Sequence, residues 1–327
     1  MNKNIEKKIK NLFEANLNKR RDIIVLSSNS SFKNQKQTNN AFSDKWMKYE
    51  KENYKEKQKL LDFQKKWYLK LYNFKNEDAL KSYLSKKKFI LDAGCGSGNK
   101  SKWFADLSPN SIVIGMDYSD SVFEAANNYK DTPNLVFIKN DIAKTKIKKN
   151  VIDYISCDQV IHHTENPQKT LDEFAKILKP NCELAVYVYA KKAIPRELVD
   201  EYFRGATKEI SKEEMWKLSK QLTELGKKLS ELKININFPD VPLLGIKGGV
   251  MDIQRFFYWN FLKCFWNENL GEKTSRIINY DWYSPTNAFR YNRKEFEKFL
   301  KKSGFKVKKY HHEEACFSGR FLKQSFT

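Results

Sequence analysis

The sequence predicts an α/β fold: a doubly wound sheet preceded by a helical N-terminal arm and interrupted by a helical cap. Three observations predict it. Between positions 89 and 190, short apolar runs alternate with helical segments of ten to fifteen residues, the pattern of parallel strands covered on both faces. The first run ends in DAGCGSG (92–98), one acid followed by three glycines at alternate positions. A long helical and aromatic segment, about 191–292, separates this core from a final helix and two strand-like runs, more chain than a plain connection needs.

The elements follow in order. IEKKIKNLFEANL (5–17) has helical spacing, DIIVLSSNSS (22–31) reads as a short strand running into a turn, and SFKNQKQTNN (31–40) as a linker. Phe42, Trp46 and Tyr49, then Leu60, Phe63, Trp67 and Leu71, recur at spacings of three and four, which predicts helices with one apolar face. In the core, FILDAG, SIVIGMD, LVFIKND, VIDYISCDQV and ELAVYVYA are strands. GNKSKWFADL, SDSVFEAANNY (opened by Ser119 as N-cap) and PQKTLDEFAKIL (Pro167 in its first turn) are helices. In the insertion, Ser211 and Glu214 form a capping box ahead of the stripe Met215, Leu218, Leu222, Leu225, Leu229 and Leu232, and Phe256 to Trp266 is an aromatic run that lies in a cap or lines a cavity. RKEFEKFLKKSGF is the last helix, and the following residues form a hairpin completing the sheet. The units are thus 1–88 (arm), 89–190 (core), 191–292 (cap) and 293–327 (closing helix and hairpin).

The net charge of +21 divides as +13, −2, +4 and +6 over those units, so the core is not basic. The cations are 52 lysines and 9 arginines, whereas phosphate and base-edge recognition favours the arginine fork. Nucleic acid is therefore disfavoured as a partner, although the +13 arm keeps an RNA-directed enzyme as the alternative. Five scattered cysteines without a C-x-x-C pair indicate neither disulfides nor zinc. With no leader-like or membrane-spanning apolar stretch, a cytoplasmic protein is expected. His311, His312, Glu313 and Glu314 are adjacent along a strand and so point to opposite faces, and no metal is assigned.

In an open α/β sheet the ligand lies beyond the carboxyl ends of the strands, closest to the first strand-to-helix turn. Gly94, Gly96 and Gly98 leave that turn without β-carbons. Asp117 ends the second strand, where an acid accepts both hydroxyls of a ribose; Asp141 follows the third, placed for an adenine amino group, with Ile142 packing on the ring. Asn99 breaks the dinucleotide spacing G-x-G-x-x-G, no P-loop lysine is present, and Asp92 would repel phosphate but attract an ammonium. A nucleoside carrying an amino group and no phosphate is S-adenosylmethionine.

These residues resemble the class I S-adenosylmethionine-dependent methyltransferases. DAGCGSG looks like their first motif, VIGMDYS their ribose acid, NDI (140–142) their adenine-side motif, and residues 157–189 their fourth strand through fifth strand. The resemblance implies a Rossmann-like seven-stranded sheet with the last strand antiparallel, S-adenosyl-L-methionine as cofactor, and a cofactor site including Cys95, Tyr118 and Asp158. IHHTENP (161–167) and LKPN (178–181) resemble the branch that contains the ubiquinone and menaquinone biosynthesis methyltransferases, which implies an acceptor oxygen or nitrogen on a small metabolite or sugar. Thr38, Phe42 and Trp46 resemble that branch's closing helix, with Trp46 or Tyr49 over the methionine end. His163 takes the fingerprint histidine position and is the first candidate for a base. Asp281, Trp282 and Tyr283 stand just before the last helix, where branch members carry a similar D-W-x-S-P. Asp281 and Tyr283 are expected at the reaction centre, and Arg290 with Asp281 would hold an acidic or hydroxylated acceptor. A cofactor-binding partner subunit without catalysis is a further alternative, against which the intact glycine and acid set speaks.

Overall fold

The computed structural model describes residues 3–325, apart from 16, 21–22, 27–31, 51–53 and 208. The chain opens with α1 (Lys3–Lys10), β1 (Asn18–Arg20), β2 (Ile23–Val25), α2 (Lys33–Glu50), α3 (Tyr54–Leu71) and α4 (Glu77–Leu84). The core follows as β3 (Phe89–Ala93), α5 (Asn99–Leu107), β4 (Ile112–Asp117), α6 (Ser121–Asn128), β5 (Leu135–Lys139), β6 (Ile152–Cys157), α7 (Pro167–Ile177) and β7 (Leu178–Ala190). The insertion holds α8 (Ile194–Ala206), α9 (Lys212–Glu231), β8 (Asn235–Phe238), β9 (Gly249–Asp252), α10 (Ile253–Asn260), α11 (Gly271–Tyr283) and β10 (Arg290–Tyr291). The chain closes with α12 (Arg293–Lys302), β11 (Phe305–Glu313) and β12 (Cys316–Lys323).

One sheet organises the molecule, in the order β1-β2-β5-β4-β3-β6-β7-β12-β11, with β10 added beside β7. β3 to β7 pair in parallel and β12 runs antiparallel to β7. Seven of the ten strands form the expected sheet; the short strand expected within 22–31 joins it as β2, and β1 and the two-residue β10 extend it. Along β3, Phe89, Leu91 and Ala93 enter one core while Ile90 enters the other. That burial on both faces is why these strands read as unbroken apolar runs rather than alternating ones.

Several local readings change. The expected linker 31–40 is helical from Lys33 onward: Gln35 Nε2 donates to Asn39 Oδ1 one turn later, and the polar side chains of this turn bond the segment at 284–287 instead of water. The N-terminal arm packs on the core: Ile9, Leu12 and Phe13 are buried in it, and β2 pairs with β5. Ser119 does not cap α6; Asp120 precedes that helix, and the Ser119 hydroxyl donates to Asp117. The insertion is not wholly helical, since β8 and β9 form a hairpin. Its predicted capping box is present, with Ser211 Oγ accepting the Glu214 N–H at 3.1 Å. Leu225 and Leu232 of the predicted stripe are exposed, while Trp216, outside it, is buried and stacked on Tyr280.

Candidate active site

The sheet order reverses between β3 and β6, and the loops that leave the carboxyl ends of β3, β4, β5 and β6 meet there. Gly94 (φ +78°) donates its N–H to the Met116 carbonyl at 2.7 Å, and a β-carbon on it would stand 2.4 Å from Val160. Gly96 (φ +53°) donates to Asp117 Oδ2 at 2.8 Å, and a β-carbon there would meet the Trp46 indole at 2.7 Å. Both positions demand glycine twice over, by backbone conformation and by close approach. Gly98 plays a different part, capping α5 against the Phe137 ring rather than facing a cavity.

A first cavity gathers Gly94, Asp117, Tyr118, Asp141, Ile142 and His163, roofed by Thr38, Phe42 and Trp46 from α2. Asp117 is held rigidly: Oδ2 takes the Gly96 N–H, and Oδ1 takes the Ser119 N–H and hydroxyl at 2.8 and 2.6 Å. A carboxylate accepts about four hydrogen bonds, so one position remains, on Oδ2, for a ribose hydroxyl. Asp141 accepts the Ala143 N–H at 2.8 Å, and burial raises its carboxyl above the ordinary range, so that it gains from any further donor. Two acids on neighbouring strand ends, an apolar face at Ile142 and bare main chain fit the adenosine portion of S-adenosylmethionine. Asp117 and Asp141 would hold it, with Gly94 and Gly96 under the chain that leads to the sulfur.

A second cavity, sharing Phe42, Trp46 and Gln159 with the first, takes in Cys95, Asp158 and Asp281. Burial raises the Cys95 thiol well above its usual range, so it stays protonated. Asp92 lies elsewhere. It is fully buried beneath the glycine loop, lines neither cavity, and takes a hydrogen bond from Ser101 Oγ at 2.7 Å. Lys100 Nζ stands 3.2 Å from Asp92 Oδ1 and 3.4 Å from Asp158 Oδ2, so the ammonium that Asp92 was expected to find on the ligand comes from the protein. Desolvation still leaves the Asp92 carboxyl raised, against the pull of Lys100 and Ser101. Asp158 also receives the Tyr72 hydroxyl at 2.7 Å. Lys100 and Gln159 escaped the sequence reading, though Lys100 carried a signal: a cation in the first turn of a helix opposes the macrodipole and implies carboxylate partners. Gln159 carried none, since its left-handed φ of +61° shows only in the folded chain.

His163 is buried, with Nδ1 2.6 Å from the Asn287 carbonyl and its ring against Phe42 at 4.8 Å. A carbonyl can only accept, so Nδ1 carries the proton and Nε2 the lone pair. Burial pushes its pKa down to about 4, outweighing Asp281 and the Asn287 carbonyl. The residue is thus a neutral hydrogen-bonding group and a weak base near neutrality. Asp281 sits not on a loop but in the last turn of α11, 2.9 Å from Lys45 Nζ on α2. Burial would raise its carboxyl, but Lys45 and His163 prevail and hold it below the usual range. Tyr283, expected beside Asp281, projects away from both cavities, donating to Asp200 at 3.1 Å and accepting the Lys263 N–H inside the cap. Arg290 also leaves the site, bound to Glu197 at 2.6 Å and Glu201 at 2.7 Å. Helical phase explains the first departure, since Asp281 and Tyr283, two residues apart on α11, diverge by about 200°; Arg290 belongs to β10, and its glutamate partners lie on α8. The Trp46 indole lies over Gly96, whereas the Tyr49 side chain lies outside the described residues. Among the described residues no cluster of histidine, cysteine and acid could hold a metal, and no helix is long and apolar enough to cross a membrane.

Residues 84–232 match the family described as methyltransferase domain. An uncharacterized chloroplastic methyltransferase of Arabidopsis thaliana is 31% identical over 98 residues, 28% of this chain and 28% of that protein. The ubiquinone biosynthesis O-methyltransferase of Coxiella burnetii is 31% identical over 101 residues, 30% of this chain and 42% of that one. The chain therefore spans less than half the length of these curated relatives. Among solved structures, magnesium protoporphyrin IX methyltransferase of Synechocystis with its bound cofactor is 12% identical, covering 91% of this chain and 100% of that one at a TM-score of 0.48. Residues 84–232, with their glycine turn and two strand-end acids, thus form a methyltransferase domain of the class I type, whose cofactor is S-adenosylmethionine.

Proposed function

We propose that this protein transfers a methyl group to an oxygen or nitrogen of a small metabolite or sugar in the cytoplasm. The supporting observation is how the second cavity is walled. The second cavity is bounded by α2, α3, the glycine loop and α11, and the Lys45–Asp281 ion pair joins two of these walls. Such a chamber suits a compact acceptor rather than a polymer. The bound cofactor supplies a sulfonium methyl group open to in-line displacement by an acceptor lone pair. The chain's own residues align the acceptor, exclude water and take up the proton a hydroxyl or ammonium acceptor must lose. Asp281, kept ionised beside Lys45, and neutral His163 through Nε2 are the groups placed to accept it. The test incubates the purified protein with methyl-labelled cofactor and fractions of cell extract. Label should appear in a product of low molecular mass that resists both nuclease and protease; a nuclease-sensitive product overturns the reading.

A further inference from the structure

The second cavity has a composition that goes beyond the arrangement of its walls. Leu61, Gln64, Lys65 and Tyr68 line it from α3, a spacing of three, four and seven that puts all four on one helix face. Phe42, Lys45 and Trp46 oppose them from α2 by the same periodicity, and Trp103 of α5 closes the end. The walls therefore present four aromatic rings, Phe42, Trp46, Tyr68 and Trp103, around one space. Each carboxylate lining it has a lysine partner, and one lysine is left over. Lys100 is shared between Asp92 and Asp158, and Lys45 is paired with Asp281. Lys65 has no carboxylate partner among the described residues; its ammonium lies 5.7 Å over the Trp103 ring, half-buried at the cavity wall.

We propose that this chamber is the acceptor site and takes a flat, unsaturated molecule bearing a carboxylate, which Lys65 pairs while the aromatic rings hold the body. The inference rests on the small-molecule reading above and names its substrate class. A cation on a tryptophan face is partly desolvated and pre-positioned, so an incoming carboxylate meets a donor that needs little further ordering. Stacking rewards an unsaturated ring over an aliphatic one. A sugar lacking an acid would leave Lys65 unpaired.

A carboxylate could also reach Lys65 from the amino-acid end of the cofactor, and the experiment separates the two sources. With adenosylhomocysteine saturating, calorimetry compares 3-hydroxybenzoate with 3-hydroxybenzamide, a neutral molecule of nearly equal shape. The unmodified protein should prefer the carboxylate about ten- to a hundredfold, the range of a charge-assisted hydrogen bond. Lys65→Met should reduce the ratio to about one and Lys65→Arg should restore most of it, while adenosylhomocysteine binds all three proteins alike. Equal affinity for the two probes in the unmodified protein, binding of neither, or a ratio that survives Lys65→Met overturns the proposal. So does weaker adenosylhomocysteine binding in Lys65→Met with methylthioadenosine unaffected, which assigns Lys65 to the cofactor. Each of these leaves the small-molecule reading intact, whereas a nuclease-sensitive product in the extract experiment removes that reading itself.

Discussion

Replacing Lys100 with methionine keeps most of the apolar stem and deletes the ammonium that stands between two carboxylates. Nζ is 3.2 Å from Asp92 and 3.4 Å from Asp158; at an effective dielectric of about 20 each contact amounts to roughly 5 kcal/mol of attraction. Most of that offsets desolvation, and one-sided deletion of a buried pair costs about 3–5 kcal/mol. With about 2.1 cal/mol/K of unfolding entropy per residue over 327 residues, the melting temperature should fall by about 4–8 °C at pH 8. The loss should depend on pH in a definite direction. The Asp92 carboxyl is already raised by burial with Lys100 present, and without it the folded-state value rises further above the unfolded value of about 3.9. Between those values the native state binds a proton that the unfolded state does not, so the variant's stability falls as pH rises through the window. Scanning calorimetry at pH 5.5 and pH 8 should therefore find a smaller gap to the unmodified protein at the lower pH. Adding Asp92→Asn should recover at least half of the loss, because the amide oxygen still accepts from Ser101 Oγ and the one carboxylate left without Lys100, Asp158, keeps the Tyr72 hydroxyl. A gap independent of pH, or a double variant less stable than Lys100→Met alone, would refute the assignment of Lys100 as the counter-charge of the glycine loop.

Gly96→Ala should weaken adenosylhomocysteine binding about tenfold or more in calorimetry, since the added carbon lies within 3 Å of three atoms of the Trp46 ring and φ +53° adds about 1 kcal/mol of strain; in a Trp46→Ala background the penalty should shrink. His163, with a folded pKa of about 4, should cost the protein about 2 kcal/mol on acidification from pH 7 to pH 5, because the unfolded chain takes up the proton first. Chemical unfolding of His163→Gln should show that much less acid sensitivity, and the rate profile of the parent should lack a limb near pH 6.5 from this residue. Tyr283→Phe should lower stability by about 1 kcal/mol yet leave kcat/KM within about twofold; a much larger loss of kcat would return Tyr283 to the reaction centre. RNA binding measured from 50 to 200 mM salt should be weak and nearly flat, whereas a log–log slope steeper than about −3 would revive the RNA alternative.

What the sequence disclosed and what it hid divide along a physical line. The sheet, its helices and the residues Gly94, Asp117, Asp141 and Ile142 were legible because each sits at a strand end whose position follows from apolar periodicity, with chemistry carried by short-range spacing. Asp92 was legible as an acid and misread as a ligand contact, because whether it faces the cavity or the interior depends on Lys100, and side-chain direction has no signature in spacing. The DWY triplet failed for a related reason. Read as a loop, Asp281 and Tyr283 share one site; on helix α11 they diverge, Asp281 toward Lys45 and Tyr283 toward Asp200. The segment 31–40 was hidden more completely, since its Asn, Gln and Thr residues have middling to poor helix propensity. Their bonds to residues 284–287, nearly 250 positions later in the chain, are what make that helix worth forming.

Those same bonds decide how the site can open. On α2, Gln37 accepts from the Thr286 N–H and donates to the Ser284 carbonyl, Thr38 Oγ1 accepts from the Asn287 N–H, Asp44 takes hydrogen bonds from Trp216 and Tyr280, and Lys45 pairs with Asp281. Every one of these partners belongs to the insertion. Toward the core α2 presents the rings of Trp46, over Gly96, and Phe42, against His163, and Ser43 Oγ accepts from the Asp120 N–H. Buried hydrogen bonds, several of them charge-assisted, are costly to break individually, whereas a ring sliding off main chain surrenders only dispersion and area. The surface of least resistance therefore runs between the α2–cap unit and the glycine loop, and a cofactor entering over Gly94 and Gly96 would displace Trp46 while leaving the α2–cap bonds intact. Removing two of them, those from Trp216 and Tyr280, with Asp44→Ala should loosen the roof from the cap rather than from the core, so that amide exchange rises in α2 and in the α9 turn around Trp216 together. Exchange rising in α2 alone would mean that the two elements do not move as one.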